Sequence, residues 1–244
     1  WRVLRFMPGV SRDRVASPSH AEEAGALVGR FHAAVADLEH TYVHVRAGVH
    51  DVGFRLRALE SALEAHRRHR LYDAVAPIAE SVLRVRSDLL DLDVAPHRHA
   101  HGDLKISNLL FDDAGVGVTL VDLDTLARMP WLFEMGDALR SWCNPHGEDI
   151  ESPAVDEVVF EAALTGWARG AAGRVALDRV DSERVGDGLR TIAVELAVRF
   201  LTDALEETYF GWNERRFATR GDHNLARALG QWRLAESARA SASA

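Results

Sequence analysis

Apolar residues recur every three to four positions over long stretches of this chain, and that spacing predicts amphipathic α-helices. In the first stretch, Leu27, Phe31 and Leu38 share one predicted face. Ser19 and Glu22 precede them with the spacing of a capping box, in which both side chains bond free backbone N–H groups at the start of a helix. The pattern predicts helices over residues 20–38, 54–68, 71–90, 134–143, 153–169, 183–207 and 221–238.

A shorter β-type pattern interrupts the helices in the middle of the chain. Asn108–Phe111 and Val116–Asp122 have strand-like composition, and the turn sequence Asp113-Ala114-Gly115 separates them, so a β-hairpin is predicted within residues 99–124. Trp1–Val10 indicates an extended strand or connector. The fold class is therefore predicted to be α+β and mostly α-helical. Its parts are a connector at 1–10, a helical body at 11–236 and a frayed tail at 237–244.

Composition narrows the classes of partner. The chain has 244 residues, 47% of them hydrophobic, and a formal net charge of −8. An acidic chain is a poor match for nucleic acid or for an anionic membrane, and no apolar run reaches the roughly 20 residues that span a bilayer. The single cysteine, Cys143, excludes an internal disulfide framework and indicates a reducing compartment, hence the cytoplasm. We expect Cys143 to be a small buried helix residue and not a nucleophile.

Two segments carry the polar residues of greatest chemical interest: HGDLKISNLLF, from His101 to Phe111, and VDLD, from Val121 to Asp124. Folding the predicted hairpin about its turn would bring Asn108 and Asp122 close together. One amide oxygen and one carboxylate then point into a single crevice. Such hard oxygen ligands suit Mg²⁺, which keeps waters and substrate phosphates in the rest of its coordination shell.

Two further residues of the first segment complete a set that suits phosphoryl transfer. Asp103 would lie a few ångströms away from the metal ligands, free to accept a proton from a substrate hydroxyl group. Lys105, the only lysine of the chain, can place a positive charge on a transferred phosphoryl group. Positioning, a metal clamp and a hydroxyl acceptor are what transfer from ATP requires.

These segments resemble the H-x-D-x-x-x-x-N catalytic loop and the metal-binding aspartate of the kinase-like fold. His-Gly-Asp in place of His-Arg-Asp, and VDLD in place of D-F-G, resemble the superfamily of aminoglycoside phosphotransferases and choline kinases. The later segments FEMGDALRSW, RFLTDALEETYF and HNLARALGQWRL are similar to the branch that contains N-acetylhexosamine 1-kinase. The resemblance extends over nearly the whole chain and implies the C-terminal lobe of that fold.

The resemblance also implies roles for individual residues. Asp103 would be the catalytic aspartate, helped by Lys105, and Asn108 and Asp122 would bind Mg²⁺. His101 and Asp137 would brace the catalytic loop, and Asp124 would contact a second metal ion or the substrate. An acceptor pocket would contain Arg199, Tyr209 and Phe210. A hinge segment that holds adenine would contain Arg2, Leu4, the pair Arg5-Phe6 and Met7. The implied reaction is ATP- and Mg²⁺-dependent phosphorylation of a small-molecule hydroxyl group, with the anomeric hydroxyl of an N-acetylhexosamine as the leading acceptor.

The superfamily pattern is incomplete in this sequence. A smaller N-terminal lobe should precede the hinge, with a glycine-rich loop, a strand lysine and a helix glutamate. Nothing upstream of the hinge segment WRVLRFMPG supplies them, and the only lysine already belongs to the catalytic loop. We therefore expect the hinge and C-terminal lobe of a longer kinase, which leaves the activity of this chain by itself open.

Other interpretations remain. The acceptor could be an aminoglycoside, choline or a homoserine-like alcohol, and the chain could be a non-catalytic kinase-like binding module. His97, His99, His101 and Asp103 also resemble part of an H-x-H-x-D-H zinc motif, but Leu104 stands where the next histidine should be. We expect His97 and His99 to be surface or packing residues. Asp and Asn are also common turn residues, so Asp103 or Asn108 alone would carry little weight.

Overall fold

The computed structural model describes residues 5–46, 48–91, 97–144, 147, 153–175 and 179–241. Helices dominate, which confirms the predicted mostly helical α+β class. They are α1 Pro18–Ala34, α2 Val52–Ala65, α3 Tyr72–Arg84, α4 Trp131–Trp142, α5 Glu157–Ala171, α6 Arg179–Glu206 and α7 Arg220–Ser241. The strands are β1 Val10–Ser11, β2 His97–Ala100, β3 Leu109–Phe111, β4 Gly117–Leu120 and β5 Ala127–Pro130.

Helix α4 lies at the centre of the molecule. Eleven of its twelve residues are buried, so it is covered on every side, unlike a surface helix with one apolar stripe. Helix α6 packs against α2, α4 and α7, while α1 packs along α5. One hydrophobic core connects these elements. Over the residues described, no helix has the length and the apolar character needed to cross a bilayer.

The predicted hairpin is confirmed: β3 and β4 are antiparallel, with Leu109 opposite Leu120 and a bulge after Leu110. Val10, at the end of the segment predicted as a strand or connector, belongs to β1 and pairs with Phe111, which makes a three-stranded sheet. A second, two-stranded sheet of β2 and β5 was missed. Its sequences, HRHA and ARMP, lack the alternation of apolar and polar residues that predicts a strand.

Helix α1 begins earlier than predicted, and the capping box of Ser19 and Glu22 is wrong. Ser17 is the N-cap, since its Oγ accepts a hydrogen bond from the backbone N of His20 at 3.2 Å. Pro18 follows as the first helical residue, a position that suits proline because its missing N–H would be unbonded there anyway. Ser19 therefore lies inside the helix.

The helix predicted over 71–90 is shorter than expected. Helix α3 ends at Arg84, and a 3₁₀ turn, Arg86–Asp88, follows. The backbone N of Leu90 donates to Thr191 Oγ1 of α6 at 3.1 Å instead of to a helix carbonyl. The apolar pattern continued to Leu90 because this residue packs into the same core as α3.

Two other boundaries also differ. Helix α5 starts at Glu157 and not at residue 153, because the Asp156 side chain caps it by accepting two backbone N–H bonds of 3.1 Å each. Helix α7 continues to Ser241, so residues 237–241 are helical where a frayed tail was predicted. Burial of Ala238 in the core explains the extension.

The backbones of α1 and α5 approach each other through glycines. Gly25 and Gly29 of α1, and Gly166 and Gly170 of α5, are each four residues apart, on one helix face. A Cβ atom at Gly166 would overlap the carbonyl oxygen of Glu22. This close contact fixes α1 beside α5.

Candidate active site

The loop of residues 101–105, here called the central loop, leads from β2 to a 3₁₀ turn, Ile106–Asn108. It has no regular structure, and buried carboxylates of α4 hold its backbone. Glu134 Oε1 accepts from the backbone N of His101 at 2.7 Å, and its Oε2 accepts from that of Gly102 at 2.9 Å. Asp137 Oδ2 accepts from the backbone N of Leu104 at 2.8 Å.

Two more α4 side chains continue this contact. Ser141 Oγ accepts from the backbone N of Ile106 at 3.2 Å, and Trp142 Nε1 donates to the carbonyl of Leu104 at 2.9 Å. Positions 134, 137 and 141 lie on one face of a helix. Helix α4 therefore fixes the backbone of the central loop at several points.

Hydrogen bonds and nearby charges favour the ionised forms of Glu134 and Asp137 despite their burial, because both pKa values are lowered. Burial alone would raise the pKa of Glu134, but the hydrogen bonds from His32 and from the two loop amides outweigh it and lower that pKa. Burial opposes ionisation of Asp137 as well, yet the charges of Arg140 and His50 and the bonds to the carboxylate lower its pKa. Ionised carboxylates make the stronger hydrogen bonds to backbone N–H groups.

Two ring side chains, Trp167 and His32, connect to Glu134 through hydrogen bonds. Trp167 Nε1 donates to His32 Nδ1 at 2.9 Å. That bond leaves His32 Nε2 as the protonated nitrogen, which donates to Glu134 at 3.3 Å. Helices α1 and α5 are thus connected to the central loop through α4.

The far end of the hairpin is tied to the same loop. The His101 ring donates from Nε2 to the carbonyl of Val121 at 2.9 Å, and Thr125 Oγ1 donates to the carbonyl of His101 at 2.7 Å. The backbone N of Val121 donates to the carbonyl of Asn108 at 2.9 Å. The structure therefore brings Asn108 beside the residue that precedes Asp122.

Asp103, Lys105 and Asn108 are in direct contact. Lys105 Nζ donates to Asp103 Oδ2 at 2.9 Å, and Asn108 Nδ2 donates to the same oxygen at 3.1 Å and to the Asp103 carbonyl at 2.9 Å. Burial would lower the pKa of Lys105, but the bond to Asp103 and the charges of Asp103, Asp122 and Asp137 outweigh it and raise that pKa. Among the described residues, both hydrogen bonds to this carboxylate fall on Oδ2, so Oδ1 can accept another.

The donor set at the hairpin end fits a small hard cation. With Nδ2 of Asn108 bonded to Asp103, its amide oxygen is the atom left for a metal. Asp122 is exposed and has the left-handed backbone φ of 62°, a strained conformation that clusters at functional sites. The described residues contain no group of three His, Cys, Asp or Glu that could hold a metal ion. Water or phosphate oxygens would complete such a shell, as Mg²⁺ permits.

A cavity of about 780 Å³ opens beside the central loop, with Asp103 and Lys105 in its wall. This is within the usual size range for small-molecule sites. The predicted acceptor residues Arg199, Tyr209 and Phe210 line the same cavity. Arg199 lies over both aromatic rings, 5.9 Å and 5.3 Å from their centroids. The structure thus brings these three residues together with Asp103, although they are about 100 positions away in sequence.

Other predicted site residues are located differently. Asp124 is exposed and is not among the described residues that line the cavity. Arg2 and Leu4 lie outside the described residues. The rest of the hinge candidates, Arg5, Phe6 and Met7, are exposed.

The histidines of the zinc interpretation do not face one another as ligands. His99 is buried, and its Nδ1 bonds Tyr42 Oη at 2.9 Å while its Nε2 donates to the carbonyl of Leu38 at 2.7 Å. The ring of His101 is bonded to Val121. His97 is exposed. With both ring nitrogens in use, His99 acts in packing.

Sequence reasoning missed several residues around the site. Glu134 carried a usable signal, because Glu134, Asp137 and Ser141 are polar positions on one face of an otherwise apolar helix. The cavity residues that no pattern indicated are Arg46, His50, Arg55 and Glu195. They come from separate elements and meet only in the folded chain.

Comparisons with solved structures show the same architecture. An aminoglycoside phosphotransferase from Alicyclobacillus acidocaldarius matches with a TM-score of 0.60 at 15% identity, over 98% of this chain and 70% of that one. The choline kinase LicA from Streptococcus pneumoniae matches at 0.51 and 12%, over 92% and 66%. A Plasmodium vivax ethanolamine kinase matches at 0.52 and 10%, over 93% and 63%. The chain thus spans about two thirds of the length of these structures, and the matches show its fold class, the kinase-like fold.

The sequence itself gives the family. The profile of the phosphotransferase enzyme family, APH, matches residues 1–172, which include the central loop, the hairpin and α4. This chain belongs to the phosphotransferase enzyme family.

Proposed function

We propose that this protein is a cytoplasmic kinase that transfers the γ-phosphoryl group of ATP to a hydroxyl group of a small molecule. One observation carries the proposal: Asp103 lies in the wall of the cavity, and Lys105 and Asn108 hold its Oδ2 atom. A carboxylate with one oxygen held and the other available is suited to orient a hydroxyl group and to accept its proton.

The reaction follows from these contacts. The acceptor oxygen attacks the γ-phosphorus while its proton passes to Asp103 Oδ1. The bond from that phosphorus to the bridging oxygen breaks, and its electron pair stays on ADP. Lys105 exchanges its bond to Asp103 for one to the transferred group, where its positive charge offsets the charge that develops in the transition state.

Asn108 and Asp122 are proposed to hold Mg²⁺, which neutralises charge on the nucleotide phosphates when it is bound. The amide oxygen of Asn108 and the exposed carboxylate of Asp122 support this assignment, because both are hard oxygen donors at one end of the hairpin. Asn108 has a second task, since its Nδ2 also fixes Asp103. The metal site and the proton acceptor are therefore coupled through one side chain.

A sugar hydroxyl is the first acceptor to test, and an N-acetylhexosamine is the leading candidate. The rings of Phe210 and Trp212 line the cavity and offer faces on which a sugar can stack, and Asn213 offers hydrogen bonds. Cationic acceptors such as aminoglycosides, choline or ethanolamine, which the matched enzymes are named for, are the rival class. A kinase-like module that binds without catalysis is the other rival.

The test uses the full-length protein and ³¹P NMR of MgATP with a panel of N-acetylhexosamines, choline, ethanolamine, homoserine and an aminoglycoside. The variant Asp103→Asn keeps the size of the side chain and loses the base. We expect turnover to fall about 10²–10⁴-fold, with nucleotide binding retained. The matched control is Asp113→Asn, in the exposed turn of the hairpin, which should turn over normally.

Each result decides a specific point. Near-normal turnover of Asp103→Asn removes the proposed role of Asp103. Transfer to choline or an aminoglycoside but to no sugar moves the acceptor to the cationic class. ATP binding without transfer to any compound favours the binding module and contradicts the proposed activity.

A further inference from the structure

The cavity has a charge opposite to that of the whole chain. The sequence carries a formal net charge of −8, yet the described residues that line the cavity include six Lys or Arg side chains and three Asp or Glu side chains. Two of those carboxylates, Asp103 and Asp137, are already bonded to Lys105 and Arg140. Among the carboxylates of the described residues that line the cavity, Glu195 is the one left to face Arg46, Arg55 and Arg199.

Three of those arginines come from different parts of the chain. Arg46 precedes α2, Arg55 belongs to α2, and Arg199 belongs to α6. Glu195 is 2% exposed and accepts its hydrogen bond, at 2.9 Å, from His50 Nδ1. It lies 3.9 Å from Arg55 Nε and 4.0 Å from Arg199 Nη1, which is beyond hydrogen-bond length. One carboxylate shared with a histidine does not neutralise three guanidinium groups.

Polar atoms in this wall also lack partners. Arg55 Nε and His50 Nε2 are buried without a hydrogen-bond partner among the described residues. Buried polar groups are normally bonded, and an exception needs an explanation. Burial and then the charge of Arg199 lower the pKa of Arg55, with a further contribution from Arg46, while Glu195 opposes them. The arginines therefore repel one another in the cavity.

Aromatic contacts hold two of these guanidinium groups in place. Arg199 lies over the rings of Tyr209 and Phe210, and Arg46 Nη2 donates to Tyr209 Oη at 2.8 Å. Stacking uses the face of a guanidinium group and leaves the N–H groups at its edge for other acceptors. A planar or tetrahedral anion is the ligand that such edges bind in pairs.

We propose that the acceptor carries an anionic group, a carboxylate or a phosphate, which Arg46, Arg55 and Arg199 bind while the reacting hydroxyl lies at Asp103. This inference rests on the proposed kinase function and narrows its substrate class to a hydroxylated acid or a phosphorylated sugar, in place of the neutral N-acetylhexosamine that the sequence resemblance favours. A cationic amino alcohol would meet like charge in this cavity, a costly arrangement.

The test is isothermal titration of the full-length protein, without nucleotide, by four probes: D-glucuronate, glucose 6-phosphate, N-acetylglucosamine and choline. The same proteins are titrated separately with MgATP, and transfer to each probe is followed by ³¹P NMR. The variant Arg46→Gln removes an exposed charge and is expected to fold. The matched control is Arg84→Gln, whose side chain is 64% exposed on α3 and pairs with Glu80. Arg46→Lys keeps the charge and loses the paired donors.

We expect at least one of the two anions to bind and choline not to bind. Loss of a charge-assisted hydrogen bond in Arg46→Gln should weaken anion binding about tenfold or more, and Arg46→Lys should fall between wild type and Arg46→Gln. N-acetylglucosamine is the uncharged comparison for both anions, and Arg84→Gln should match wild type with every probe. The two anionic probes distinguish a carboxylate ligand from a phosphate ligand.

Three results overturn the inference: choline binds more tightly than both anions, Arg46→Gln leaves anion binding unchanged, or Arg46→Gln weakens ATP binding in place of acceptor binding. The two proposals can also fail separately. If neither anion binds, but wild type and Arg46→Gln phosphorylate neutral N-acetylglucosamine equally, the anionic acceptor is wrong and the kinase proposal stands. If anions bind through Arg46 and no probe is phosphorylated, the anion site survives and the kinase proposal fails.

Discussion

Replacing Glu134 with Gln tests whether the shape of the central loop depends on α4. The side chain keeps its size, but its amide nitrogen is a donor that meets the backbone N–H of His101 or Gly102. At least one of the three hydrogen bonds that Glu134 accepts is lost, and those that remain lose their charge. The site is buried, so water cannot replace them, since Glu134 is 1% exposed.

The magnitude follows from these contacts. Hydrogen bonds to charged groups contribute about 1.5–3 kcal/mol, and a buried donor without a partner costs about 1–3 kcal/mol. We expect the free energy of unfolding to fall by roughly 3 kcal/mol. Domains are stable by about 5–15 kcal/mol, so the variant should fold, with a Tm lowered by roughly 6–12 °C.

Urea unfolding followed by circular dichroism measures the change, and its pH dependence identifies the cause. The pKa of Glu134 is lowered from its ordinary value of 4.5, so its ionised form stabilises the folded state. That contribution is fully present above pH 4.5 and is lost as the pH falls through the folded-state pKa. The difference between wild type and Glu134→Gln should therefore shrink in acid.

Glu80→Gln is the matched control, because the Glu80 side chain is 73% exposed and pairs only with Arg84 among the contacts of the described residues. Exposed pairs of this type contribute about 0.3–0.5 kcal/mol. A Glu134→Gln variant as stable as Glu80→Gln, or a difference that does not change with pH, would refute the idea that an ionised Glu134 holds the loop.

The remaining predictions concern packing and reactivity. Gly166→Ala should lower the urea midpoint by a change equivalent to about 1–3 kcal/mol, because a Cβ there meets the α1 backbone. Gly186→Ala, within α6 and with no atom near the added carbon, should be neutral or stabilising by up to about 1 kcal/mol; equal losses in both variants would contradict the packing argument. Cys143 is the only cysteine and is buried, and burial, followed by the charges of Asp156 and Glu157, raises the pKa of its thiol well above 9. Iodoacetamide at pH 8 should label it only after urea unfolding, and fast labelling of the folded protein would contradict this burial.

Local sequence patterns predicted the elements whose cause is local. The turn Asp113-Ala114-Gly115 has a backbone preference of its own, so the hairpin was predictable. The sequence predicted α1 as a helix but did not predict its N-cap. Ser17 and Ser19 both suit an N-cap, and only Pro18, which favours the first helical position, decides for Ser17. Strands β2 and β5 pair across 30 residues without an apolar alternation, so their sequences gave no signal.

In the candidate site, too, contacts with a local cause were predictable from the sequence, and contacts that depend on tertiary packing were not. Asp103, Lys105 and Asn108 lie within six residues of one another, and their contacts follow from one tight loop. The support from Glu134 depends on how α4 packs in the core. The group of Arg46, Arg55 and Arg199 depends on the packing of α2 against α6, which no spacing in the sequence encodes.

The support of the central loop by α4 has a consequence for how this protein can change over generations. Helix α4 and the hairpin hold the loop that contains Asp103, whereas α6, the segment at residues 209–213 and four residues in or just before the first turn of α2 make most of the remaining wall of the cavity. Substitutions in that wall can alter which molecule is accepted without disturbing the reacting groups. Duplicated copies of the gene could therefore diverge in substrate while conserving one chemistry, with the buried carboxylates of α4 as the part that must stay constant.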